Sequence, residues 1–130
     1  MDTVWCGQLA VSVFFAIAFL QSAADKWLDR AGNIEFFSGH FSNSPLAAMV
    51  PVMFWTITVL ESLAGVLSGL GALMLLLGMG TGLAVLGLVF STVSLLCLFF
   101  GQRLAQDYAG AAVIAAYFAV ALLGFAILGG

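Results

Sequence analysis

The chain has 130 residues, of which 64% are hydrophobic and only 7% are charged, and its formal net charge is −3. A soluble domain carries roughly a quarter of its residues as charged side chains, and one of this size buries only about 60–70% of the surface of its unfolded chain, so this composition excludes an ordinary cytosolic enzyme. Three basic residues against six acidic ones also exclude nucleic-acid binding, because neutralising phosphates requires a cluster of cations.

Four stretches of the sequence are long and apolar enough to cross a bilayer, whose hydrocarbon core of about 30 Å needs roughly 20 helical residues. In chain order, the predicted helices cover about 3–24, 45–77, 82–100 and 109–128. Backbone in lipid must satisfy its own hydrogen bonds, and the alternating pattern of a β-barrel is absent, so each stretch is predicted to be helical. The predicted fold is therefore an all-α, polytopic membrane protein: a single four-transmembrane-helix bundle over residues 1–130.

The polar segment 25–44 separates the first two predicted helices. Within it, residues 34–41 mix aromatic and polar side chains, which predicts a short interfacial segment that covers a pocket beneath it. The second helix is expected to begin at Pro45, because a serine N-cap followed by proline at the first helical position is a favourable start. Pro51 offers a later start for the same membrane span.

The basic residues predict the orientation of the bundle. An even number of spans places both termini on one side of the membrane and the polar segments 25–44 and 101–108 on the other. Lys26, Arg30 and Arg103, the only basic residues, all lie on that second side. Because lysine and arginine concentrate in cytoplasmic loops, both loops are expected to be cytoplasmic and both termini external.

Polar side chains at the helix ends are expected to meet at one level on the loop-bearing side. Counting about 20 residues back from the glycine turn after Leu77 places Glu61 roughly 5 Å inside the membrane boundary. A lone ionised group at membrane depth costs on the order of 2.5–3.5 kcal/mol, so Glu61 is expected to pair with Lys26 or Arg103. The residues predicted at this level are Gln21, Lys26, Glu61, Gln102, Arg103, Asp107 and Tyr108.

Two interpretations of this polar cluster stay open. In the first, the cluster is a pocket that binds a polar head group, such as a quinone ring, or that relays protons. In the second, it is an inter-helix clamp that fixes the register of the bundle. His40, the only histidine, could donate to a quinone oxygen or shuttle a proton, and the alternative is an exposed loop histidine without a role. No cluster of histidine, cysteine and carboxylate surrounds it in the sequence, so no metal site is predicted.

The two cysteines limit the redox chemistry that the chain can carry out by itself. Cys6 and Cys97 are expected near opposite membrane faces, so no disulfide joins them, and no CxxC pair or nucleotide-binding motif indicates a bound redox group.

Small residues let helix backbones approach closely, so those in the second and fourth helices are expected to pack the bundle internally, with a homo-oligomer face as the alternative. These residues include Gly65, Gly69, Ala111, Ala115 and Ala119.

Three stretches together resemble the DoxX family of small four-helix bacterial membrane proteins. They are FLQSAADK at 19–26, GHFSNSPL at 39–46 and GQRLAQDYAGAA at 101–112, with Gly32-Asn33 between the first two and Glu61 ahead of Gly65 after the second. The resemblance covers nearly the whole chain, and the second and third stretches are its most specific parts.

The resemblance implies a redox-associated subunit in a bacterial inner (cytoplasmic) membrane. The family takes its name from the DoxD-type membrane subunit of a thiosulfate:quinone oxidoreductase, so a quinone is the implied ligand and other membrane protein subunits are the implied partners. No covalently bound cofactor is expected, so redox chemistry would depend on a partner or on a quinone from the lipid. The family's polar positions match Lys26, Glu61, Gln102, Arg103, Asp107 and Tyr108.

Two further functions stay open beside the quinone-linked subunit. One is a structural accessory subunit of a larger respiratory or photosynthetic membrane complex, with no chemistry of its own. The other is a small multidrug-type transporter, which would share four helices and one membrane carboxylate. Such transporters have short loops and a glutamate in the first helix, whereas here Glu61 lies in the second helix behind a long loop.

Overall fold

The computed structural model describes residues 2–129. Over this range the chain forms five α-helices and one short 3₁₀ turn, and none of these residues lies in a β-strand. In chain order the elements are α1 (Thr3–Leu28), α2 (Arg30–His40), the 3₁₀ turn (Ala47–Met49), α3 (Val50–Leu76), α4 (Gly82–Leu104) and α5 (Tyr108–Leu128). The predicted all-α fold is confirmed.

Four of these helices are long and apolar enough to cross a membrane: α1, α3 together with the turn before it, α4 and α5. Their outward faces are strongly apolar, since Ile17 on α1 and Leu123 on α5 are 66% and 65% exposed. In a bilayer these faces contact acyl chains, and the helical backbone satisfies its own hydrogen bonds. The chain is a multi-pass membrane protein.

The centre of the bundle is α3, which packs along both α1 and α4, while α5 packs mainly on α4. Glycines allow the closest approaches. A Cβ atom on Gly65 of α3 would lie 2.7 Å from the backbone nitrogen of Leu20 on α1, and one on Gly87 of α4 would lie 2.5 Å from that of Ser68 on α3. These small residues therefore bring helix backbones together inside the bundle, as membrane helices commonly do.

The start of the second membrane helix differs from the predicted one. Ser44 does not cap a helix beginning at Pro45; its hydroxyl donates to the carbonyl oxygen of Phe41 at 2.9 Å and accepts from the backbone N–H of Leu46 at 3.1 Å. These bonds stabilise a turn, so α3 begins at Val50, with Pro51 in its first turn. Proline is tolerated there because the first helical N–H groups have no partner within the helix.

The first membrane helix continues beyond the predicted end at residue 24, because α1 runs to Leu28. Asp29 then separates α1 from α2, and its carboxylate caps α2 by accepting from the backbone N–H of Gly32 at 3.2 Å. The predicted interfacial segment 34–41 is thus helical up to His40. No residue of α2 is fully buried, and Phe37 contacts Phe54 of α3 with ring centroids 5.9 Å apart. In this position α2 lies against the beginning of α3.

Candidate functional site

A buried ion-pair cluster of Ser22, Lys26 and Glu61 joins α1 to α3. Lys26 Nζ lies 2.8 Å from Glu61 Oε1, and both residues are buried, with 8% and 2% of their surface exposed. The Ser22 hydroxyl donates to Glu61 Oε2 at 2.9 Å and accepts from Lys26 Nζ at 2.9 Å. The carboxylate therefore has both a cation and a neutral donor, which is the condition for burying a charge.

Of the two cations predicted to neutralise Glu61, the structure pairs it with Lys26. Arg103 is exposed, and its guanidinium carbon lies 4.6 Å from the centroid of the Tyr108 ring. Within residues 2–129, Glu61 has no second cation at ion-pair distance. Gln21 is exposed on α1 and is not part of the ion-pair cluster. Ser22 was not among the predicted residues, although its place one helical turn before Lys26 puts both on one face of α1.

A second polar group ties the end of α2 to the connection between α4 and α5. His40 Nε2 lies 2.8 Å from Gln102 Oε1 and 3.7 Å from Asp107 Oδ2, and 20% of the His40 side chain is exposed. The other oxygen of Asp107 accepts from the backbone N–H of Gly110 at 2.9 Å and so caps α5. His40 is therefore a partly buried residue with a fixed partner, and not an exposed loop histidine.

Six of the seven polar residues predicted at one level are thus divided among three places, and Gln21 lies in none of them. Lys26 and Glu61 form the ion-pair cluster, and Gln102 and Asp107 surround His40. The third place is the exposed stack of Arg103 on Tyr108. This division separates the charges inside the bundle from the polar groups under α2.

A cavity of about 340 Å³, here called the α2 cavity, lies between α2, the beginning of α3 and the end of α4. Its walls are largely apolar and include Phe37, Ile57 and Leu98, whereas His40 and Gln102 supply polar atoms. Neither Lys26 nor Glu61 lines it. The sequence predicted a pocket beneath residues 34–41 but expected the charged residues at the helix ends to line it, whereas the observed lining is mostly apolar.

The mouth of the α2 cavity lies among exposed apolar side chains. Met49, Val52 and Phe100 line it and are 49%, 62% and 60% exposed. Exposed apolar side chains at the end of a membrane span are suited to contact with lipid. Cys97 also lines the cavity and is exposed, as is Cys6 near the beginning of α1; both are free thiols. The cavity can therefore take a molecule that partitions into the membrane and carries one polar end.

The fold and these sites define a four-helix, multi-pass membrane protein with a closed charge cluster and an open lateral cavity. A scan of protein-family models and searches of curated proteins and of solved structures find no significant match for this chain. A function for this protein is therefore inferred from its structure and not from a similar protein.

Proposed function

We propose that this protein is a DoxX-like, redox-associated membrane subunit that binds the head group of a lipid-soluble quinone in the α2 cavity. The observation that carries the proposal is the His40–Gln102 pair in an otherwise apolar cavity with a lipid-facing mouth. A quinone ring presents carbonyl oxygens that accept hydrogen bonds and faces that pack against apolar walls. His40 Nε2–H donates to Gln102 Oε1 and so orients this amide, whose NH₂ group is a donor of the required kind.

The size and position of the cavity support the same ligand class. Its volume of about 340 Å³ lies within the range of roughly 300–1,000 Å³ that is common for small-molecule sites. Phe37 on α2 and Leu98 on α4 both line the cavity, so a flat ring bound there would exchange contact with lipid and water for contact with apolar side chains. The exposed mouth at Val52 and Phe100 leaves room for an apolar tail to extend into the bilayer.

The proposal places the chain in the cytoplasmic membrane of a bacterium, where it exchanges electrons through partner subunits. Both termini are external, and the α2–α3 connection is cytoplasmic. Single-cysteine reporters Asn43→Cys and Gly129→Cys, in a chain without Cys6 and Cys97, test this orientation with a membrane-impermeant thiol reagent. Labelling of Gly129→Cys alone in intact cells is the expected result, and labelling of Asn43→Cys alone would reverse the topology.

The two native cysteines test the quinone site directly. Cys97 lines the α2 cavity, whereas Cys6 lies near the opposite end of the bundle and serves as an internal control. The purified protein is titrated with a short-tailed ubiquinone whose ring is fully substituted and therefore does not add to thiols. We expect alkylation of Cys97 by a maleimide to slow several-fold while alkylation of Cys6 is unchanged.

The variant His40→Ala should weaken this protection, because it removes the group that orients the Gln102 amide and opens the polar end of the cavity. Protection that is absent at saturating quinone, or equal at the two cysteines, would contradict a quinone site in the α2 cavity.

The second candidate is a structural accessory subunit of a larger respiratory or photosynthetic membrane complex. The observation that favours it is the closed ion-pair cluster: Lys26 and Glu61 satisfy each other inside the bundle and do not line the α2 cavity. Such a subunit would co-purify with large partners, and its deletion would disrupt their assembly and leave the turnover of the residual assembled complex unchanged. A change of turnover in an intact complex supports the quinone-linked subunit instead.

A further inference from the structure

A second, open groove lies at the corner where α1 ends and α2 begins, and we call it the corner groove. Its volume is about 470 Å³, and its lining includes Trp27, Asp29, Arg30 and Trp55. None of these residues lines the α2 cavity. The corner groove is therefore a separate site, and a ligand bound in it is independent of the proposed quinone in the α2 cavity.

Two tryptophans form a fixed aromatic wall of the corner groove. The ring centroids of Trp27 on α1 and Trp55 on α3 are 5.6 Å apart. Trp27 Nε1 donates to the hydroxyl of Ser62 at 2.9 Å, and Ser62 in turn donates to the carbonyl oxygen of Thr58 at 2.7 Å. Because the indole N–H is anchored to α3, the ring presents its apolar part outward, where 49% of Trp27 stays exposed.

Opposite charges lie side by side on this wall. The guanidinium carbon of Arg30 is 5.8 Å from the centroid of the Trp55 ring, and within residues 2–129 Arg30 forms no ion pair. The neighbouring carboxylate of Asp29 is held in place because it caps α2 through the N–H of Gly32. The corner groove thus offers a cation without an anionic partner and, next to it, a fixed anion.

The level of the groove in the membrane follows from the length of α1. Its 26 residues extend about 39 Å at 1.5 Å per residue, which exceeds a hydrocarbon core of about 30 Å. The charged residues Asp25, Asp29 and Arg30 flank the last turn of α1. This end of the helix, with Trp27, therefore lies in the head-group region. Tryptophan is enriched at this level because its ring is apolar and its N–H is polar.

We propose that the corner groove binds the head group of a zwitterionic phospholipid with a primary ammonium group, namely phosphatidylethanolamine. Its phosphate is the complement of Arg30, its ammonium is the complement of Asp29, and its glycerol region packs on the two tryptophans. Charge complementarity selects this lipid over an anionic one. In the sequence, Asp25 and Glu35 flank Arg30 and Lys26 is neutralised by Glu61, so this segment of the chain has excess negative charge and disfavours an anionic head group.

Native mass spectrometry of the purified protein measures this preference with three lipids of identical acyl chains: phosphatidylethanolamine, phosphatidylcholine and phosphatidylglycerol. We expect phosphatidylethanolamine to be retained at several-fold lower concentration than the other two. Arg30→Gln should weaken retention of phosphatidylethanolamine several-fold. Arg103→Gln is the matched control, because Arg103 is also an exposed arginine next to an aromatic ring but lies outside the groove.

The variant Asp29→Asn tests the role of the Asp29 charge without removing the side chain that caps α2. Asparagine caps helices about as well as aspartate, so α2 should persist while the anion is lost. We expect this variant to retain phosphatidylethanolamine no better than phosphatidylcholine. Equal retention of all three lipids by the unaltered protein would overturn the proposal, and so would an equal loss in Arg30→Gln and Arg103→Gln.

Discussion

The interior of the bundle and the α2 helix are held in place by different kinds of contact. Between α1, α3 and α4, helix backbones meet at glycines, and the ion pair of Lys26 with Glu61 is buried. In contrast, α2 has no fully buried residue and is held by aromatic contacts such as Phe37 with Phe54 and by the His40–Gln102 contact. The interior is therefore held by tightly packed and charged contacts, and α2 by fewer contacts that are partly exposed.

This difference has a physical basis in how each contact responds to loss of one partner. Removing one member of a buried ion pair leaves a charge without compensation inside the bundle, which costs far more than the pair itself contributes. A partly buried hydrogen bond can be replaced by water or by a ligand, so its net contribution is only about 0.5–1.5 kcal/mol. Chemistry that requires opening and closing is therefore better placed under α2 than at Glu61.

The largest effect is expected for Lys26→Met, which leaves the Glu61 carboxylate buried without its cation. The free energy of unfolding should fall by about 3–5 kcal/mol, as measured by thermal or denaturant unfolding in detergent micelles. The double variant Lys26→Met/Glu61→Met removes both charges and should recover most of that loss. Arg103→Met, which removes an exposed arginine, should change stability by no more than about 0.5 kcal/mol. Equal effects of Lys26→Met and Arg103→Met would show that the ion pair does not stabilise the bundle.

A smaller loss is expected where two helix backbones touch. Gly87→Ala would place a Cβ atom 2.5 Å from the backbone nitrogen of Ser68, so α3 and α4 would have to move apart. We expect a loss of about 1–3 kcal/mol in the free energy of unfolding.

The matched control for this substitution lies on α2. A Cβ atom on Gly39 would meet nothing within 4 Å, and alanine favours a helix over glycine by up to about 1 kcal/mol. Gly39→Ala should therefore leave stability unchanged or raise it slightly. A loss in Gly39→Ala as large as that in Gly87→Ala would mean that α2 is packed as tightly as the interior, and the contrast between the regions would fail.

The sequence predicted the interior better than it predicted α2. The four spans follow from uninterrupted apolar runs, and a carboxylate at the depth of Glu61 requires a cation, which made Lys26 a candidate. The predicted start of the second membrane helix is too early, because Ser44 and Pro45 suit a turn as well as a helix start. The sequence could not decide between Lys26 and Arg103 as the partner of Glu61. The choice depends on where a long side chain points, and the hydrophobic pattern of the sequence does not show where the Arg103 side chain points.

A pocket under residues 34–41 was predicted from the sequence, but its size and its apolar lining were not, for a related reason. Its volume depends on the angle at which α2 returns over α3, and this angle is fixed by the break at Asp29 and by the contact between Phe37 and Phe54. Both are tertiary features. The aromatic and polar mixture in 34–41 indicated that the segment covers something, and packing alone decided which polar residues lie beneath it.

The smallest effect, and the one that distinguishes the two regions most directly, is expected for His40→Ala. Loss of the contact with Gln102 should lower local stability by about 0.5–1.5 kcal/mol. Because 1.4 kcal/mol corresponds to a factor of ten, backbone amides of α2 should exchange with deuterium roughly two- to ten-fold faster. Amides of α3 around Glu61 should be unaffected. Gln102→Ala should reproduce the change, and the double variant should add little, since both substitutions remove the same contact. If exchange instead accelerates equally in α2 and α3, α2 is part of the cooperative bundle, and the α2 cavity does not open independently of it.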